Sequence, residues 1–202
     1  MLELSHKKQR AGLATSSEFH KLMGIKGLGK TGDTYAFEKA VEIVFGVDED
    51  DNYESYDMAI GTEREPLAFD FFKEKIKLEF GTVELCDFVQ LGLNTGGTPD
   101  GKVNGKYPLE TKCPKSNKYF SILRYGLDAI DEDWLIQLNH QMLIMNVEKG
   151  YFNLFTIYNG LPYHHYYEVE RNMEMTTKMV ARLDEWVKLR DEHVAALRSK
   201  LC

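Results

Sequence analysis

Strand-like and helix-like segments alternate along the second half of the chain, and this order restricts the fold to helices packed around a mixed sheet. Val83–Leu93 and Tyr107–Cys113 read as strands, with the turn-forming run Gly96-Gly97-Thr98-Pro99-Asp100-Gly101 between them. Ser116–Gly126 and Asp131–Val147 read as helices. A hairpin follows, Tyr151–Tyr158 and Tyr163–Glu170 around Asn159-Gly160-Leu161-Pro162, then a last helix from about Met173 to Arg198. Upstream, Thr15-Ser16-Ser17 caps a short helix Glu18–Met23, which the glycine-rich Gly24–Gly32 ends. Asp33 or Thr34 caps a second helix to about Phe45, and Ala59 to about Lys77 forms a longer one containing Pro66. The expectation is a single α/β domain over residues 1–202, with a central mixed sheet flanked by helices.

A chain of 202 residues can bury a substantial core, and 43% hydrophobic with 28% charged residues is ordinary for a soluble globular protein. No apolar run reaches the roughly 18 residues of a membrane span, and the N-terminus lacks the apolar core of a secretory signal. Three unpatterned cysteines, Cys86, Cys113 and Cys202, suit a reducing cytoplasm. The net charge of −7 argues against coating nucleic acid by bulk electrostatics. Charge is nevertheless segregated. Lys7, Lys8, Arg10, Lys21, Lys26 and Lys30 dominate the first thirty residues, acids crowd positions 48–57, and Lys112, Lys115, Lys118 and Arg124 lie in a stretch without acids.

Chemistry concentrates in Thr98-Pro99-Asp100-Gly101 and Leu109-Glu110-Thr111-Lys112-Cys113-Pro114. Residues two apart on a strand share a face, so Glu110 and Lys112 project together while Thr111 faces away. Asp100, in a turn at the edge of the same hairpin, can approach Glu110. Hard oxygen ligands so placed suit Mg²⁺, or Mn²⁺, and a cation relieves the repulsion between the two carboxylates. Phosphodiester hydrolysis needs such a site: a metal-activated water, charge stabilisation on the phosphoryl oxygens, and a cation such as Lys112 to polarise the nucleophile.

The Thr-Pro-Asp-Gly turn followed by Leu-Glu-x-Lys-Cys-Pro resembles the signature of the lambda exonuclease and YqaJ-like viral recombinase group within the PD-(D/E)XK nucleases. Arg10-Ala11-Gly12-Leu13-Ala14-Thr15-Ser16-Ser17 is similar to that family's N-terminal Arg-x-Gly-x-x-Thr-x-Ser element, which implies that Arg10 and Ser17 bind a DNA phosphate, with Thr98 adding a hydroxyl. Gly61-Thr62-Glu63-Arg64-Glu65 resembles the helix segment whose glutamate lies near the metals, making Glu65 a third carboxylate. Gln137 matches the family's glutamine helix. Two departures stand out: no tryptophan occurs in His6–Gln9, and Thr98 replaces a serine seen in some members. The resemblance implies a three-layer restriction-endonuclease-like core. It further implies a Mg²⁺-dependent exonuclease degrading double-stranded DNA 5′ to 3′ from its ends, a homotrimer, a single-strand annealing partner, and a phage or prophage origin with action in the bacterial cytoplasm. The same core serves structure-specific and restriction-type endonucleases, and a non-catalytic DNA-end-binding module is the alternative outside enzymes.

Other signals carry less. Gly24-Ile25-Lys26-Gly27-Leu28-Gly29-Lys30-Thr31 has the spacing of a phosphate-binding loop, but a helix rather than a buried strand is expected before it, so Lys26 and Lys30 read better as loop contacts to DNA. His164 and His165 face opposite ways on a strand and cannot easily share one ion. Three cysteines cannot hold an iron–sulfur cluster that needs four, and Cys113 has no evident base to make it a nucleophile.

Overall fold

The computed structural model describes residues 7–47, 56–77, 79 and 81–201, with side chains left aside at 56–60 and 62. In chain order its elements are β1 (Ala14–Thr15), a 3₁₀ helix (Ser16–Leu22), α1 (Gly29–Phe45), α2 (Tyr56–Lys77), β2 (Val83–Glu84), β3 (Val89–Leu91), β4 (Thr95–Gly97), β5 (Gly101–Val103) and β6 (Tyr107–Lys112). Next come α3 (Ser116–Tyr125), a 3₁₀ turn (Gly126–Ala129), α4 (Glu132–Ile144), β7 (Lys149–Tyr158), β8 (Leu161–Glu170) and α5 (Met173–Ser199). The main sheet runs β2-β5-β6-β7-β8, and a smaller one runs β1-β4-β3. Because α3 and α4 cross over between them, β6 and β7 pair in parallel, whereas β5 with β6 and β7 with β8 are antiparallel. The fold is therefore mixed α/β, as expected.

Strand alternation divides the core. On one face of the main sheet Leu109 and Tyr151 pack with Phe72 and Ile76 of α2. On the other, Phe152 and Leu154 meet Leu138 and Met142 of α4 together with Tyr119 and Ile122 of α3. The far side of α4 presents Ile136 to a third cluster with Phe19, Leu22, Tyr35, Met179 and Trp186, so α1, α5 and the 3₁₀ helix form a further layer. Buried on both sides, α4 is held in a fixed register against β6. No described helix is long and apolar enough to cross a membrane.

Several boundaries differ from the sequence expectation. Val83–Leu93 is two strands, not one: Val83 pairs with Val103 in the main sheet, and Val89 pairs with Gly97 in the small one. A shared period-two pattern cannot reveal that its halves find different partners. The helix expected to start at Asp33 or Thr34 begins at Gly29, where Gly32 packs so closely on Leu28 and the Lys21 carbonyl that a Cβ would not fit. The Thr15 side chain makes no capping bond to the following turn; its amide instead donates to the Tyr35 hydroxyl at 3.2 Å. The β7–β8 connection is tighter than anticipated, because Asn159 (φ 50°) and Gly160 (φ 74°) make the whole turn and Pro162 already belongs to β8. There it sits on an edge strand, which tolerates its missing N–H. The acidic run at 48–57 and His6 fall largely outside the described residues.

Candidate active site

Strand β6 ends at the centre of the site. Glu110 is 1% exposed and Lys112 half-buried, both on the face turned toward α4, while Thr111 points the opposite way and accepts from the Asn153 amide at 3.2 Å. The Glu110 carboxylate takes Lys112 Nζ on Oε1 at 2.7 Å and Gln141 Nε2 on Oε2 at 2.5 Å. Lys112 Nζ donates its second bond to Gln137 Oε1 at 2.9 Å. Gln137 and Gln141 are four apart on α4, which stacks them on one side of the helix.

Asp100 reaches this group across the β5–β6 hairpin. Its amide donates to the Leu109 carbonyl at 3.0 Å, and its Oδ2 accepts from the Thr111 amide at 2.6 Å, so the turn is clamped at both ends. Enclosure, followed by the charges of Glu110 and Glu65, raises the Asp100 pKa well above the usual carboxylate range despite the Thr111 bond and Lys112. Glu65, on α2, is exposed at the mouth; its inward side loses solvation and feels Glu110, and its pKa is raised as well. Burial works against the Lys112 ammonium, but Glu110, Asp100 and Glu65 outweigh it and raise its pKa, so the cation persists.

A cleft of about 760 Å³ opens beside this group and is lined by its Lys112 and Glu65. Gly61, Arg64 and Glu65 form one wall, Lys115, Lys118, Asp131 and Trp134 the other, with Thr111–Pro114 between them. The donor chemistry fits a hard divalent cation: two mutually repelling carboxylates, one with an oxygen that accepts no bond among the described residues, beside a solvated cleft. Among the described residues no three His, Cys, Asp or Glu side chains form a ready-made metal cage. Mg²⁺ does not need one, since it is commonly held by one or two carboxylates and completes its shell with water and phosphate oxygens.

The residues expected to bind phosphate divide into two groups. Arg10 ends a helical turn at residues 7–10, and its Nη2 donates to Thr98 Oγ1 at 2.9 Å, two residues before Asp100. Burial lowers the Arg10 pKa, and no carboxylate pairs with it among the described residues. Ser17, by contrast, is exposed and makes no hydrogen bond to Arg10 or Thr98; its neighbour Ser16 is the buried one, 2% exposed and bonded to His140 Nδ1 at 2.8 Å. Gln141 went unrecognised in the sequence, although its spacing of four from Gln137 was a usable signal. Its Oε1 is buried without a partner, a place for an ordered water.

Of the remaining candidates only Cys113 lies in the cleft. The segment Gly24–Thr31 follows a 3₁₀ helix rather than a buried strand and runs into the first turn of α1, and its Lys26 and Lys30 are exposed. His164 bonds Asn153 Oδ1 at 2.7 Å, whereas His165 turns its ring toward Tyr167. Burial pushes the Cys113 thiol up to about 12, which leaves it protonated and unreactive.

In overall structure the chain is similar to an alkaline exonuclease (LHK-Exo) from Laribacter hongkongensis, with a TM-score of 0.79 at 19% identity over 100% of this chain and 98% of that one. LHK-Exo in complex with dAMP gives 0.78 at 19% identity, covering 96% of each chain. A phage related exonuclease from Haemophilus somnus 129PT gives 0.69 at 14% identity, over 92% of this chain and 96% of that one. No curated protein matches the sequence. The profile of the YqaJ-like viral recombinase domain, however, matches residues 5–148, the stretch that contains the Arg10 turn, the β5–β6 hairpin and the glutamines of α4, and the chain belongs to that family.

Proposed function

We propose that residues 1–202 act as one nuclease domain, a metal-dependent exonuclease that degrades linear double-stranded DNA 5′ to 3′ and leaves 3′ single strands for phage-type recombination. The observation that carries this reading is the buried cluster of Asp100, Glu110 and Lys112, whose lysine lines an open cleft together with Glu65. Membership of a viral recombinase family supports it, as do fold neighbours that are themselves called exonucleases.

Asp100 and Glu110 are the metal ligands in this reading, with Glu65 completing the site from the cleft mouth. A bound Mg²⁺, or Mn²⁺, would supply an activated water and charge stabilisation on the phosphoryl oxygens. Lys112 stays protonated between Glu110 and Gln137 and directs its charge at the developing negative phosphate. Gln141 fixes the rotamer of Glu110. Arg10 and Thr98 take a terminal phosphate, since a guanidinium bonded only to a hydroxyl among the described residues retains donors for an anion, and Ser17 joins them if its turn adjusts on binding. The family suggests a homotrimer with a single-strand annealing partner, acting in the cytoplasm of a bacterial host. Ring closure would keep DNA in place without a strongly basic surface, which suits a net charge of −7.

The test is to incubate linear and covalently closed circular duplexes with the protein and Mg²⁺. Loss of linear DNA alone is expected. Nicked circles would point to an endonuclease, and intact DNA with every divalent metal would leave an end-binding module.

A further inference from the structure

The cleft carries a feature that metal-assisted hydrolysis does not use. Of the chain's two tryptophans, Trp186 is fully buried, whereas Trp134 is half-buried in the cleft wall. The indole of Trp134 lies against Phe152 with ring centroids 6.1 Å apart and planes at 27°, and Phe152 stands beside Glu110 in the β6–β7 register. An aromatic plane is therefore anchored close to the buried carboxylate. Lys118 Nζ lies 5.9 Å from the indole centroid and is held there by Asp131 at 2.6 Å. Pro114 and Ile157 extend the apolar lining, so one cleft combines an aromatic wall with the cations Lys112 and Lys118. Nucleic acid matches that pairing: phosphate charge along the strand and a π-face on every base.

We propose that Trp134 is the platform on which a base of the bound strand stacks, one step from the phosphate that a metal on Asp100 and Glu110 would hold. The inference rests on the nuclease reading and deepens it by naming what the cleft recognises besides phosphate. Stacking of this kind tolerates any sequence, as an enzyme that consumes whole strands requires. Phe152 backs one face of the indole and fixes its plane in advance, and Lys118, now over the ring, moves aside to the adjoining phosphate when a base takes that face.

Two measurements test it. In the first, Trp134→Phe should keep KM on linear DNA within about threefold, because a ring remains, while Trp134→Leu, which still fills the space against Phe152, should raise KM about tenfold and change kcat little. Thermal melts establish that both variants fold. The second uses the wild-type protein in EDTA, titrated with a 5′-phosphorylated thymidine tetranucleotide or with an abasic tetramer of equal charge, binding being followed by anisotropy of a labelled copy. The base-containing tetramer should quench tryptophan emission and the abasic one should not; Trp134→Phe, left with buried Trp186, should not respond. Wild-type KM in folded Trp134→Leu, tetramer binding without quenching, or no tetramer binding would each overturn the proposal. A wild-type protein that quenches with the tetramer yet hydrolyses no DNA with Mg²⁺ or Mn²⁺ would instead remove the nuclease reading and leave the base platform in place.

Discussion

Asp100 and Glu110 are both enclosed carboxylates, yet their removal should move stability in opposite directions. Asp100 has a folded pKa raised by burial and by two like charges, so at neutral pH its ionisation costs the fold energy. Asp100→Asn keeps an oxygen for the Thr111 amide and removes that cost. In EDTA at pH 8 the variant should melt above the wild type by about 2–4 °C for each kcal/mol relieved. Glu110→Ala strands the Lys112 ammonium and the Gln141 amide, both of which it now satisfies. Breaking a buried pair costs about 3–5 kcal/mol, and because Lys112 keeps some water at the cleft a loss of about 2–3 kcal/mol is expected. Both variants should lose hydrolysis. Thermal melts paired with linear-DNA digestion check this, and equal shifts of one sign would contradict the electrostatic picture of the site.

Helix α4 supplies Gln137 and Gln141 to the site from one side and is bolted to the small sheet from the other. The bolt is His140, fully buried, stacked on Phe19 and bonded through Nδ1 to Ser16 and through Nε2 to Thr95 at 2.9 Å. Burial lowers its pKa from 6.5 to about 3, so it must be neutral in the fold while the unfolded chain takes a proton below about 6.5. This contribution to stability is intact above pH 6.5 and falls by about 1.4 kcal/mol for each unit of acidification toward pH 3, while the raised Asp100 and Glu65 carboxyls act in the opposite sense. Half-buried His164, lowered to about 4, adds to the same slope. Urea denaturation at pH 7.5, 6 and 5 should show the wild type losing stability relative to His140→Gln as the pH falls; a difference that does not change with pH would mean that His140 does not govern acid sensitivity. At this scale the sequence was legible where a pattern was local. The Pro-Asp-Gly turn and the Glu-x-Lys strand announced the hairpin that joins Asp100 to Glu110, since both signals lie within fourteen residues. The Ser16–His140–Thr95 bolt gave no local sign, because its members lie 124 and 45 positions apart. Val83–Leu93 read as one strand because only its partners divide it, β5 for Val83 and the neighbouring β4 for Val89.

Across the whole molecule, the N-terminal turn is brought to the hairpin that starts 88 residues later, where Arg10 meets Thr98. That long contact places a half-buried guanidinium, without a carboxylate partner among the described residues, two residues from a candidate metal ligand. Its sequence signature was the Arg-x-Gly-x-x-Thr-x-Ser pattern, which suggested Arg10 and Ser17 together; the fold brings Arg10 to Thr98 and leaves Ser17 exposed on its turn. If Arg10 and Thr98 receive a terminal phosphate, a 5′-phosphorylated duplex end should be degraded faster than a 5′-hydroxyl end. A terminal phosphate carries more charge and more free oxygens than an internal diester, and charge-assisted bonds to a guanidinium are the strong kind. Arg10→Ala should erase most of the preference, as loss of one buried charged contact costs about 2–5 kcal/mol. Lys200→Ala, an exposed change at the end of α5, should leave it unaltered. Duplexes labelled at either end and carrying either terminus separate the possibilities. Equal rates on the two ends, or digestion that begins at 3′ termini, would keep a metal-dependent nuclease and discard the 5′-to-3′ polarity proposed for it.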